Sequence, residues 1–156
     1  MKLGEALAVR AETARRIEQV RARIIDNARY QEGETPAENA ADLLAEAEQA
    51  CAELESLIRR INRTNSATRL GDGTITDALA HRDGLRLRHS VITDAADAAA
   101  GRRDRRGGGR QLRSELLFLA ALPVAELRAQ ADRVAQEIRT VDVAIQRSNW
   151  EVDLLD

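Results

Sequence analysis

The densest gathering of chemically capable side chains lies between positions 62 and 86, where Asn62, Arg63, Thr64, Asn65, Thr68, Arg69, Asp72, Asp77, His81, Asp83 and Arg86 follow one another. Guanidinium forks, amides and carboxylates at this density can hold a phosphate or a carboxylate. Asn62, Arg63, Asn65, Arg69, Asp83 and Arg86 are therefore the candidate ligand-binding set. A helix end, a glycine turn and an N-cap use the same residue types for themselves, and that structural use is the favoured reading. His81 and His89 are eight positions apart, about 12 Å along a helix, too far to share one metal within a chain. His89 falls on an apolar stripe, so a packed imidazole is expected there, and no metal or cofactor is assigned. The single cysteine, Cys51, can form neither an intrachain disulfide nor a Cys-x-x-Cys site. Gly-x-Ser-x-Gly, Walker A, His-Glu-x-x-His and dinucleotide fingerprints are all missing from the sequence, and no catalytic residue is assigned.

Charge is distributed more informatively than its net value of −2 suggests. Between Arg29 and Arg59 there are eight acids and no base, whereas Gly101 to Ser114 carries six arginines against Asp104. Arg102, Arg103, Arg105, Arg106 and Arg110 of this basic Gly/Arg loop form a candidate polyanion-binding set. The loop can dock on the acidic helix of its own or a neighbouring chain, grip nucleic-acid phosphates, or stay solvated. Aromatic residues on which bases would stack are not interleaved with the arginines, so nucleic acid is the less favoured partner.

The elements that must position these groups are helical. With 28 alanines, two prolines and aromatics at 2%, the chain has the composition of a bundle or coiled coil with an aliphatic core. Leu3, Leu7, Arg10, Ala14, Ile17, Arg21, Ile24 and Ala28 step by fours and threes, predicting a first helix over about 3–30, with Val20 and Ile25 beside the stripe. A left-handed cap is expected at Gly33. Thr35-Pro36-Ala37-Glu38 reads as a capping box opening a second helix over about 36–65, whose seam runs through Leu44, Ala47, Cys51, Leu54, Ile58, Ile61 and Asn65. The short connection makes the two an antiparallel hairpin. Leu70 to Ile75 reads as a tight turn with extended arms, and Thr74 or Thr76 as the cap of a third helix over about 76–100. That helix carries one apolar stripe through Ala78, Leu85, His89, Ile92, Ala96 and Ala99, and another through Ala80, Gly84, Leu87, Val91, Ala95 and Ala98, which suggests more than one neighbour. Glu115 to Leu122 is a candidate strand to pair with an arm of the Gly71–Gly73 turn. A last helix over about 123–149 follows Pro123.

The expected fold is thus mainly all-α, a single helical domain over 1–156. Its long antiparallel helical hairpins form a four-helix bundle or coiled-coil-like assembly, with one short β pairing. Narrow seams make a lone core thin, so the leading expectation is a non-enzymatic structural or interaction protein acting as a homo-oligomer, its partner being itself. No apolar run approaches the roughly 20 residues of a membrane span, and the acid at 5 and base at 10 interrupt any signal-peptide core, so a cytoplasmic location is expected.

Lys2-Leu3-Gly4-Glu5-Ala6-Leu7, Arg16 to Arg21, Asn27-Ala28-Arg29 with Gln31 to Glu34, Arg60-Ile61-Asn62-Arg63-Thr64-Asn65, Thr76 to Leu79, Arg82-Asp83, Leu85 to Arg88 and the closing Asn149-Trp150 resemble the small helical bacterial proteins often called septicolysin or septicolysin-like. The resemblance spans nearly the whole chain and implies a helical fold. The name implies a haemolysin or pore former, an activity that the missing export signal and membrane-length segment argue against.

Overall fold

The computed structural model describes residues 1–102 and 117–156. Its elements are α1 (Leu3–Asn27), α2 (Ala40–Ala67), β1 (Arg69–Leu70), β2 (Gly73–Thr74), α3 (Ile75–Ala99) and α4 (Val124–Glu151). They divide between two compact units, one of Met1–Thr76 with Gln146–Asp156 and the other of Asp77–Ile145.

In the first unit α1 and α2 lie antiparallel, because Arg16 pairs with Glu46 at 2.9 Å and the later Arg23 with the earlier Glu38. The buried face of α1 runs through Leu3, Ala6 and Val20, and that of α2 through Leu43, Ala50, Ile61 and Thr64. Each seam keeps part of the expected stripe, Leu3, Leu7, Ile17 and Ile24 on α1 and Ala47, Leu54, Ile61 and Asn65 on α2, while its other positions move by one residue. Arg10, Ala14, Arg21 and Ala28 are exposed, while Val20, beside the expected stripe, is 1% exposed. On α2 Leu43, Ala47, Ala50, Leu54, Leu57, Ile61 and Thr64 face inward or partly inward, leaving Leu44, Cys51 and Ile58 exposed. Each of these three sits beside another apolar residue (Leu43, Ala50, Leu57), so two four-three stripes share one helix and spacing alone favours neither.

The expected capping box does not open α2. Its N-cap is Asn39, whose Oδ1 accepts from the amides of Ala41 and Asp42. Glu38, which the box would have turned inward, instead receives both ends of the Arg23 guanidinium fork, and its amide donates to Asn27 Oδ1. Gly33 is left-handed as expected, at φ 90°, but serves a turn closed by Glu34 N–H to the Gln31 carbonyl, and α1 has already ended at Asn27.

β1 and β2 form a two-stranded antiparallel hairpin, Arg69 opposite Thr74 and Leu70 opposite Gly73. Gly71 at φ 61° supplies the positive φ that a two-residue loop needs. The pairing expected between this turn and Glu115–Leu122 is corrected here: the arms pair with each other, and residues 117–122 form no strand. Glu115 and Leu116 lie outside the described residues.

The second unit contains most of α3 and α4, antiparallel by the pairs Arg86–Asp142 and Arg128–Asp97, both 3.2 Å. Its core is Leu85, Ile92, Ala131 and Val134, flanked by Leu127, Ile138 and Val141. Helix α3 ends in a Schellman motif: Gly101, at φ 72°, donates to the Ala98 carbonyl and Arg102 N–H to the Asp97 carbonyl. The result is the mainly all-α fold of long antiparallel helical hairpins, with one short β hairpin.

Candidate functional site

The most elaborately bonded region is a clasp in the first unit, where both ends of the chain meet α2. Leu3 N–H donates to the Val152 carbonyl and Leu154 N–H to the Met1 carbonyl, both at 2.9 Å, across an isolated bridge between Lys2 and Asp153. Lys2 Nζ reaches the Glu151 carbonyl at 3.0 Å and Asp153 Oδ1 at 2.9 Å. A cation thus sits on the C-terminal carbonyls of α4, where the helix dipole favours it. The hydrogen bond from Lys2, reinforced by its charge, lowers the Asp153 pKa. Trp150 lies on Gly4 so closely that a Cβ at position 4 would stand 3.2 Å from the indole and from the Asn149 carbonyl.

From α2, Thr64 and two arginines hold the chain's last residues. The fully buried Thr64 hydroxyl donates to the Arg60 carbonyl at 2.8 Å and accepts from Leu155 N–H at 3.0 Å. Arg60 donates to the Leu155 carbonyl and the Asp156 carboxylate, and Arg63 to the Asp156 carbonyl at 3.1 Å. Three segments distinguished in the sequence therefore converge: Lys2-Leu3-Gly4, Arg60 to Asn65, and Asn149-Trp150. Sequence reasoning reached these motifs but not the partners Asp153 and Asp156, because an irregular tail has no periodicity to reveal it.

Four of the six candidate ligand-binding residues, Arg63, Arg69, Asp83 and Arg86, have partners within the chain. Arg63 is turned to Asp156, and Arg69 closes the β hairpin on the Asp72 carbonyl at 3.0 Å. Asn62 is exposed and Asn65 half-buried. In the second unit Asp83 pairs with Arg82 at 3.1 Å, and Arg86 with Asp142. Asp142 also lies 3.6 Å from Arg82, so these four charges form one network on α3 and α4. The network links α3 to α4 through partly exposed pairs, each worth about 1 kcal/mol or less.

A shallow groove of about 420 Å³ lies beside it, lined by His81, Arg133, Gln136, Glu137, Thr140 and Val141. Its α4 residues share the spacing of one helical face, a signal present in the sequence but submerged in a generally polar helix. His89 is half-buried. Among the described residues no group of three or more His, Cys, Asp or Glu is placed to hold a metal ion. Of the basic set, Arg102 pairs with Asp97 at 3.7 Å, and Arg103, Arg105, Arg106 and Arg110 lie outside the described residues. No described helix is long and apolar enough to cross a membrane.

Long antiparallel helical hairpins, the first closed by a terminal clasp, define a small helical protein in which many described arginines pair with carboxylates of the same chain. Residues 10–154 match the model of a family of unknown function, DUF6847, and the chain belongs to that family. It is also similar to a functionally unknown conserved protein of known crystal structure from Corynebacterium diphtheriae, at 41% identity over 99% of both chains and a TM-score of 0.90. No curated protein matches it.

Proposed function

We propose that this chain is a non-enzymatic structural or protein-interaction module that works as a homo-oligomer in the cytoplasm. One observation carries the reading. Among the described residues only ten of thirty-seven large apolar side chains are buried, twelve being half-buried and fifteen exposed. Isolated exposed leucines are ordinary on a protein surface, but so small a fully buried share limits the hydrophobic stabilisation of a lone chain, at about 25 cal/mol per Å² of apolar surface removed from water. Packing between copies supplies what the narrow seams lack. The charged residues support the same reading, since Arg60, Arg63, Arg69, Arg82 and Arg86 are engaged by carboxylates and carbonyls of the chain itself. The septicolysin-like resemblance belongs to this proposal as a kinship of helical proteins, without the pore-forming activity of the name.

The test is the mass in solution by light scattering, over a range of protein concentrations, at low salt and at about 0.5 M salt, where the Debye length is only a few ångströms. An oligomer that persists in salt is expected, because apolar contacts are not screened. A monomer under all conditions overturns the proposal.

A further inference from the structure

The outer face of α3 is built for a second α3. Its core-facing stripe holds Leu85, Ile92 and Ala96, all buried. About a third of a turn around the helix, Ala80, Gly84, Leu87, Val91, Ala95 and Ala98 make another stripe at four-three spacing, with Leu87 68% and Val91 60% exposed and Ala95 half-buried. This stripe reads nearly the same in both directions. Around position 89, Leu87 mirrors Val91, Gly84 mirrors Ala95 within one residue, and Ala80 mirrors Ala98. Small, small, large, large, small, small is a self-complementary order. In a two-fold interface residue i meets j while j meets i, so an antiparallel pair centred on position 89 sets Leu87 against Val91 and small residues against small ones.

Gly84 adds an independent observation. Glycine is the least favourable residue but proline inside a helix, and its missing side chain leaves room for another backbone to approach closely. The other helical glycine, Gly4, has that reason in Trp150. At Gly84 a Cβ would meet nothing within 4 Å, so no described part of the chain requires it.

The stripe is also continuous with a second apolar surface. Ala95 and Ala98 line a groove together with Phe118, Leu119 and Leu122, and Phe118 is 99% exposed. From Ala80 to Ala98 the helix rises about 27 Å, and a strip about 12 Å wide offers about 650 Å² over two copies. That is about half of what a stable pair buries. With Leu117, Phe118, Leu119 and Leu122 at about 100 Å² each, the pair passes about 1,200 Å², the lower bound of a standard interface.

We propose that two copies of this chain pair antiparallel through the outer face of α3. Leu87 of each copy meets Val91 of the other, and the Phe118 segment of each covers Ala80 and Gly84 of the other. The proposal rests on the homo-oligomer reading above and names its surface.

Light scattering on the whole protein separates the two. Wild type is expected at an even multiple of 17.2 kDa, Leu87→Glu at half the wild-type mass, and Leu44→Glu, on the outer face of α2, unchanged. A wild-type monomer at every concentration overturns both this pairing and the broader reading. An oligomer that Leu87→Glu leaves intact, with helix content unchanged by circular dichroism, overturns the α3 interface alone. Should Leu87→Glu fail to fold, cysteine pairing decides in a Cys51→Ser background. An oxidised mixture of Leu87→Cys and Val91→Cys proteins is expected to form a disulfide dimer that neither forms alone. Dimers from either protein alone, or none from the mixture, overturn the antiparallel register.

Discussion

Two adjacent leucines in the first turn of α2 provide the sharpest test of how the first unit packs. Leu43 is 5% exposed and Leu44 51%. Truncating a fully buried leucine to alanine removes its transfer free energy and leaves a cavity, together about 2–5 kcal/mol. Leu44 keeps roughly half its side chain in water, leaves no enclosed cavity and is replaced by the best helix former, so its truncation costs about 1 kcal/mol or less. In a chain of this size about 1 kcal/mol moves Tm by roughly 2–4 °C. Leu43→Ala is thus expected to lower Tm by about 4 °C or more, and Leu44→Ala by less than about 4 °C. Urea melts of both variants, at several protein concentrations to separate association from folding, measure the difference directly. Equal losses, or the larger loss at Leu44, would refute the assigned seam and restore the stripe through Leu44, Cys51 and Ile58.

Thr64→Val keeps the shape of a fully buried side chain but removes the acceptor of Leu155 N–H; it should cost about 1–2 kcal/mol and speed amide exchange at residues 152–155, whereas Thr64→Ser should leave that exchange slow. Gly4→Val drives a branched side chain against the Trp150 indole and the Asn149 carbonyl, so it should lower the urea midpoint by more than Gly4→Ala does; a midpoint that Gly4→Val leaves unchanged would contradict the close packing there. Acid should weaken the first unit, because the hydrogen bond from Arg23 holds the Glu38 pKa below its ordinary 4.5 and that from Lys2 holds Asp153 below 3.8. Depressed native values make the contribution complete above about pH 5 and lost as pH falls through them. The urea midpoint should therefore drop from about pH 5 to about pH 3, and the drop should be shallower in a Glu38→Gln, Asp153→Asn double variant.

The sequence by itself determined the helices and their order. Alanine-rich composition, four-three spacing and few prolines leave little but long antiparallel helices, and Gly71 with Gly73 already marks the hairpin. Periodicity could not choose between neighbouring stripes where apolar residues stand side by side, as at Leu43 and Leu44 or Ala50 and Cys51; that choice is made by which side the partner helix occupies. Nor could local signals choose the start of α2. Both Thr35 and Asn39 are good caps, and only the docking of Glu38 on Arg23, fifteen residues earlier, selects Asn39. The clasp depends most on tertiary structure. Arg63 stands in the candidate ligand set, Arg60 and Thr64 do not, and more than ninety residues separate all three from Asp156 along the chain. Only the folded arrangement brings the tail to them, because hydrogen bonding acts over a few ångströms of space and is indifferent to separation in sequence.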